Sequence, residues 1–168
     1  MNLNPYRYII KRYHSKNLTP SEFKLMNFWL PFFFNRIKIK KVSDDFKKIE
    51  VLLKHSFWNR NPNKSLWGGA LFSAVDPFYP IMIKQILLKE NIETIFLTKS
   101  AKIEYLKEAK TNILFYFSIS SSQIKKIKEI LKNKKKYEGW HTVQGLDNHN
   151  NKCIEAKIQV YLKLRNHV

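Results

Sequence analysis

Asn61-Pro62-Asn63-Lys64-Ser65-Leu66-Trp67-Gly68-Gly69-Ala70-Leu71-Phe72-Ser73-Ala74-Val75-Asp76-Pro77 is where the chain changes character. Residues 59–65 read as a loop by composition. Residues 66–88 then form the longest apolar stretch and predict one mostly buried helix. Two of only four glycines, Gly68 and Gly69, stand where that helix should begin. Glycine lets a ligand approach the backbone closely, and a helix N-terminus offers free N–H groups at the positive end of its dipole. Such a place suits a phosphate or a developing oxyanion. Close helix packing is an equally good reason for a glycine pair. Eight residues after Gly68, Asp76 stands among Ala74, Val75, Pro77 and Phe78. An aspartate in an apolar helix is costly unless it is hydrogen-bonded or used. Desolvation would favour its neutral form and move its pKa towards that of a general base. The competing reading is a helix-breaking Asp-Pro pair that faces solvent. Pro77 and Pro80 remove the N–H groups that would pair with the carbonyls of Ser73 and Asp76, so a kink beside Asp76 is expected.

Upstream, Thr19-Pro20-Ser21-Glu22 predicts a helix entry: Thr19 as cap, Pro20 in the first turn, Glu22 completing a capping box. That helix should end before Pro31. The aromatic run from Asn27 through Phe28, Trp29, Phe32 and Phe33 to Phe34 then needs cover from the core or from a partner subunit. From Ile37 the period becomes two. Ile37, Ile39 and Val42 alternate with lysines, Ser43-Asp44-Asp45 makes a turn, and residues 46–54 complete a hairpin. Downstream, residues 92–105, 112–120, 137–146 and 153–165 predict strands. In the last, Ile154, Ala156, Ile158, Val160, Leu162 and Leu164 form an apolar face opposite a wet one, as in an antiparallel strand covered on one side. Residues 122–133 place Ile124, Ile127, Ile130 and Leu131 on one helical stripe, with the lysines solvated elsewhere. One buried helix wrapped by about six antiparallel strands, with an extra N-terminal helix, is an α+β layout. Residues 1–34 form a helical extension and residues 35–168 a single domain.

The chain has 168 residues, a net charge of +18 and 44% hydrophobic residues, which is one core's worth of material and excludes intrinsic disorder. Of the 31 basic residues only 5 are Arg, and the excess is spread over both halves. It suits a solvated lysine surface or the attraction of an anionic ligand equally well. Nucleic-acid binding rests on that charge alone, because the Arg-rich and Gly-flanked aromatic motifs of RNA binders are missing. The single cysteine, Cys153, excludes a disulfide framework and reads as a structural or surface thiol on the polar face of the last strand. The five histidines lack the spacing of a zinc site, Ser73 lacks a nucleophile turn, and no metal is expected. The start of the chain has only Tyr8-Ile9-Ile10 between charges, too short for a signal-peptide core. No uninterrupted apolar stretch approaches the roughly 18 residues of a membrane span, and a cytoplasmic location is expected.

The segment 61–77 resembles the active-site segment of hotdog-fold acyl-CoA thioesterases of the phenylacetyl-CoA thioesterase type. Their pattern is an Asn, then His-Gly-Gly, then an Asp eight residues after the first Gly. Asn61, Gly68, Gly69 and Asp76 match it in type and spacing, while Thr98 and Tyr105 fall at the hydroxyl and aromatic positions of the strand that follows. Trp67 replaces the usual His, Lys64 a frequent Gly and Glu108 a Pro. The resemblance covers residues 35–165 and implies a hotdog domain. It implies hydrolysis of an acyl-CoA or acyl-carrier thioester without a cofactor. In that chemistry the N–H of Gly68 or Gly69 polarises the carbonyl and Asp76 activates water or attacks. Asn61 and Thr98 position the water and the substrate. Trp67 and Phe72, with Phe78 and Tyr79, would line an acyl site, and Lys64 and Lys99 are candidates to hold CoA phosphates. The alternative is a hotdog shell that binds an acyl ligand without hydrolysing it. Gly68 and Asp76 lie about 12 Å apart along a helix axis. One helix therefore cannot present both to one thioester, and a homodimer, or a dimer of dimers, with sites across the subunit interface is expected.

Overall fold

Thr19 accepts a hydrogen bond from the Glu22 backbone while the Glu22 carboxylate takes the Thr19 N–H, so the expected capping box starts the first helix, α1 (Pro20–Lys24). The computed structural model describes residues 17–165. A 3-10 turn over Leu25–Phe28 follows, and then α2 (Leu30–Asn35). Pro31 therefore opens a helix instead of ending one. In the first turn its missing N–H has no intrahelical partner to lose. Within α2 only Phe32 is buried, tilted against Phe78 of the central helix with ring centroids 5.7 Å apart. The core thus covers one ring of the aromatic run and leaves the others outside.

The hairpin forms as expected, with β1 (Ile37–Val42) antiparallel to β2 (Lys48–Leu53). Phe46, assigned by its apolar character to the second strand, instead lies in the turn with φ of 56° and is fully buried beside Phe23. The remaining strands are β3 (Thr94–Tyr105), β4 (Ile113–Ser118), β5 (Lys136–Leu146) and β6 (Lys152–Leu164). All six join one antiparallel sheet in the order β1-β2-β4-β5-β6-β3. The long apolar stretch is broken in two: α3 (Gly68–Ser73), a turn over residues 74–77, and α4 (Phe78–Leu88). The kink expected from the two prolines is this turn. Pro77 caps α4 and Pro80 falls in its first turn, positions that need no N–H donor. The sheet wraps α4, whose Phe78, Met82, Ile83 and Leu87 are completely buried, and this is the hotdog arrangement. Gly68–Leu88 has the length and hydropathy of a spanning segment, but 72% of its most apolar window is buried inside the fold, as befits a core helix. Outside the sheet, α5 (Ser121–Lys134) buries Ile124, Ile127 and Leu131 and leaves its lysines in water.

Cys153 corrects the sequence reading. It is buried beside Ile154, not on the polar face of β6. The β5–β6 register passes from Gly145↔Ile154 to Leu146↔Lys152, so Cys153 is the extra residue of a bulge. One unpaired residue shifts the alternation and turns its side chain inward.

The contrast within α2 gives a stability test. Phe32→Ala should cost about 3–5 kcal/mol through the cavity left against Phe78, whereas Phe33→Ala should stay within about 0.5 kcal/mol. Urea unfolding of both variants measures the difference.

Candidate active site

Pro80 has no N–H to offer the carbonyl of Asp76. The hydroxyl of Thr98, on β3, supplies the missing donor at 3.1 Å. Asp76 itself is half-buried at the break between α3 and α4. Burial raises its carboxyl above the ordinary carboxylate range, and hydrogen bonding from Thr98 works in the opposite direction. The helix does break at this Asp-Pro pair, with Asp76 half-buried there.

The other end of α3 is held from the same strand. Tyr105 donates its hydroxyl to the carbonyl of Gly68 at 3.1 Å. Thr98 is at an even position and Tyr105 at an odd one, so a regular strand would send them to opposite faces. The β3–β6 register shifts between Thr98 and Ser100, and the bulge at Lys99 reverses the parity. Both hydroxyls consequently reach the segment from Gly68 to Asp76. Tyr105 as a second anchor of that segment escaped the sequence pattern, because the bulge that aims it leaves no mark in residue types.

Trp67 sits at the N-cap of α3 without a side-chain cap, so the first-turn N–H groups of Gly68 and Gly69 receive no acceptor from it. Its indole lies over Gly69, where an added Cβ would come within 2.2 Å of the ring. What fills the space over Gly69 is the half-exposed Trp67 ring from the same segment and not a packed helix. Trp67 and Phe72 are 49% and 40% exposed and present apolar surface beside the glycines. Phe78 and Tyr79, expected as lining, are core residues instead; the Tyr79 hydroxyl donates to the Thr142 carbonyl at 2.6 Å.

The remaining candidates are held in other places. Asn61 closes its own loop, with its amide donating to Ser65 Oγ at 2.9 Å and its Oδ1 accepting from the Ser65 backbone. The buried neighbour Asn59 supports this region: its amide donates to the carbonyls of Asn35 and Lys54, and its carbonyl accepts from the Trp67 N–H. Nothing in residue spacing distinguished Asn59 from the other loop asparagines. Lys64 is exposed with φ of 61° in that loop. Lys99 pairs with Glu138 at 2.6 Å, which holds that carboxyl below its ordinary range. Among the described residues, no group of three or more His, Cys, Asp or Glu could hold a metal ion.

Residues 22–162 match the family described as a domain of unknown function, DUF4442. The chain belongs to this DUF4442 family. No curated protein matches it. Among solved structures, a Pseudomonas aeruginosa protein of unknown function, PA5026, described as a probable thioesterase, aligns with a TM-score of 0.72 at 13% identity, covering 89% of this chain and all of that one. The Haemophilus influenzae thioesterase HI1161 aligns at 0.65 and 11% identity over 91% of this chain and 96% of its own. The E. coli PaaI protein, from the phenylacetic acid degradation operon, aligns at 0.54 and 11% identity over 80% and 83%. At such identities the likeness establishes the hotdog fold of this DUF4442 chain and nothing finer.

The raised carboxyl has a thermodynamic signature. A folded-state pKa above the unfolded one means that stability is full in acid and declines as pH rises through it. Asp76→Asn removes the desolvated charge, so its thermal midpoint should exceed the parent's at neutral pH. The gain should vanish in acid, where Asp76 is protonated in both states. Thermal unfolding followed by circular dichroism across pH checks this.

Proposed function

We propose that this DUF4442 protein hydrolyses an acyl-CoA or acyl-carrier thioester to the free acid and thiol. The observation that supports the reading most directly is Asp76, half-buried with a raised pKa and anchored through its own carbonyl by Thr98. Its deprotonated carboxylate takes a proton from water as that water attacks the thioester carbonyl, and the thiolate leaves. An N–H of Gly68 or Gly69 stabilises the oxyanion. Thr98 positions water and substrate together with Asn61 once its amide leaves Ser65, Trp67 and Phe72 contact the acyl group, and Lys64, with Lys99 once released from Glu138, meets the CoA phosphates. The thioesterase descriptions of PA5026 and HI1161 agree with this chemistry.

The working unit in this reading is a homodimer. A helical rise of about 12 Å over the eight residues from Gly68 to Asp76 would keep one chain from offering both to one carbonyl, whereas antiparallel helices across a two-fold axis would bring Gly68 of one chain to Asp76 of its partner. The sheet supports that assembly at one edge. β1 is a lysine-studded edge, a common guard against pairing, and β3 offers eleven residues paired only with β6.

A panel of acyl-CoA thioesters from short to long and aryl, monitored by free thiol release, tests the reading. Asp76→Ala should lower kcat/KM at least about a hundredfold. Thr98→Val, which removes a group that lowers the Asp76 pKa, should move the acid limb of the kcat/KM profile to higher pH. Mixing Asp76→Ala with Gly68→Pro after dissociation should restore one intact site per heterodimer; a fully active monomer would refute the shared site. A second reading, acyl binding without hydrolysis, is favoured by the Trp67 indole standing over Gly69. An acyl ligand retained intact in native mass spectrometry would select it.

A further inference from the structure

The aromatic run that the core leaves uncovered is part of a larger surface. Phe28 is 76% exposed, and Phe33 and Phe34, in edge contact at 5.6 Å, are more than half exposed. The 3-10 turn Phe57–Asn59 packs against α2, and the Asn59 amide donates to the Asn35 carbonyl at 2.8 Å. That contact brings the turn that carries Phe57 and Trp58, 76% and 74% exposed, next to α2. A cluster of this kind on a folded surface calls for a partner.

The surrounding charge identifies the partner's sign. Residues 23–43 and 51–75, which carry the cluster, contain eight Lys or Arg and no Asp or Glu, and of these eight Lys41 is paired with Glu50 on β2. Lys24 and Arg36 flank the first aromatic segment, and Lys54 and Arg60 flank the second. The Arg60 guanidinium lies over the Phe57 ring at 5.1 Å. The Asn27 amide group bonds both the N–H and the carbonyl of Ile39 on the outer edge of β1, which ties the turn before α2 to the strand that carries the exposed Lys38 and Lys40. A second copy of this chain is a poor occupant, because a two-fold contact would press one predominantly basic rim against another. Sequence readout of a nucleic acid suits the rim but not the centre, where Leu25 and Leu30 join the aromatics without polar groups to meet base edges. Phe and Trp in the middle with lysines around them match a bilayer surface, whose headgroup region accepts aromatic rings and whose anionic lipids attract the rim.

We propose that the face built from α2, the turn before it and the 3-10 turn Phe57–Asn59 docks this protein on membranes rich in anionic lipid. The proposal does not depend on the thioesterase reading, since none of these residues is placed in the reaction.

Flotation of the full chain with vesicles of phosphatidylcholine, with and without phosphatidylglycerol, tests it. The chain should float with the mixed vesicles only, and added salt should weaken the association. Phe28→Ser and Trp58→Ser should each lower the partition coefficient about tenfold, and Lys38→Gln with Lys40→Gln about thirtyfold together. All four side chains are exposed, and an unchanged circular dichroism spectrum confirms that each variant folds. Failure to float with either vesicle overturns the proposal. So does flotation that survives both aromatic substitutions, which would mean attraction by charge alone. Aromatic variants that change oligomeric state while the parent ignores vesicles would reassign the face to contact between copies. Binding of an oligonucleotide without binding of mixed vesicles would reassign it to nucleic acid.

Discussion

The central helix cannot run unbroken through residues 74–77, because Pro77 and Pro80 withhold two donors that an uninterrupted helix would need. Everything at the candidate site depends on that interruption. It ends α3 at Ser73, restarts the helix at Phe78 and leaves the Asp76 carbonyl open to the Thr98 hydroxyl. It also allows a carboxylate to exist within the most apolar part of the chain. At a turn, Asp76 is half-buried and can reach water; two turns further along α4 it would meet the completely buried surroundings of Ile83 and Leu87. Full burial without a partner would hold a carboxyl neutral and useless as a base at ordinary pH. Half-burial raises its basicity while keeping the ionised form accessible.

Much of this was legible because the physics is local. A capping box needs four residues, and Thr19 with Glu22 forms one. Strict alternation over residues 154–164 exposes the covered face of β6, and a proline pair within a long apolar run interrupts the helix there. The misread positions share a different cause: they depend on register, which the residue pattern does not carry. Cys153 is turned inward by a bulge, and Tyr105 reaches Gly68 only because a second bulge at Lys99 reverses the parity of β3. Phe46 reads as a strand residue by hydrophobicity but fills the core from a turn. Asn59 and Asn61 are chemically identical loop residues two positions apart. One is buried, bonding carbonyls on two segments, while the other stays within its own loop. Only the folded chain separates them.

The two edges of the sheet are managed in opposite ways. At β1, Asn27 occupies the outer backbone groups of Ile39, lysines stud the strand, and a register irregularity between Ile39 and Lys41 further disrupts the edge. That combination discourages addition of another strand. At β3 the bulge lies in mid-strand, where it aims Thr98 and Tyr105 at the inner helix. The edge whose backbone is left open is therefore also the edge whose side chains hold the site.

This coincidence links assembly to chemistry. If a second subunit pairs along β3, the strand is straightened and fixed by backbone bonds on both sides, and the two hydroxyl anchors inherit that rigidity. The Asp76 carbonyl and the Gly68 carbonyl are each held by one side-chain hydrogen bond, worth about 1 kcal/mol net. Such single bonds position a reacting group well only when their donors do not move. A donor strand paired on one side frays more readily than one paired on both. Dimerisation in this architecture would thus do more than complete the site with a partner's residues. It would stiffen the strand from which each chain's own Asp76 and Gly68 are held.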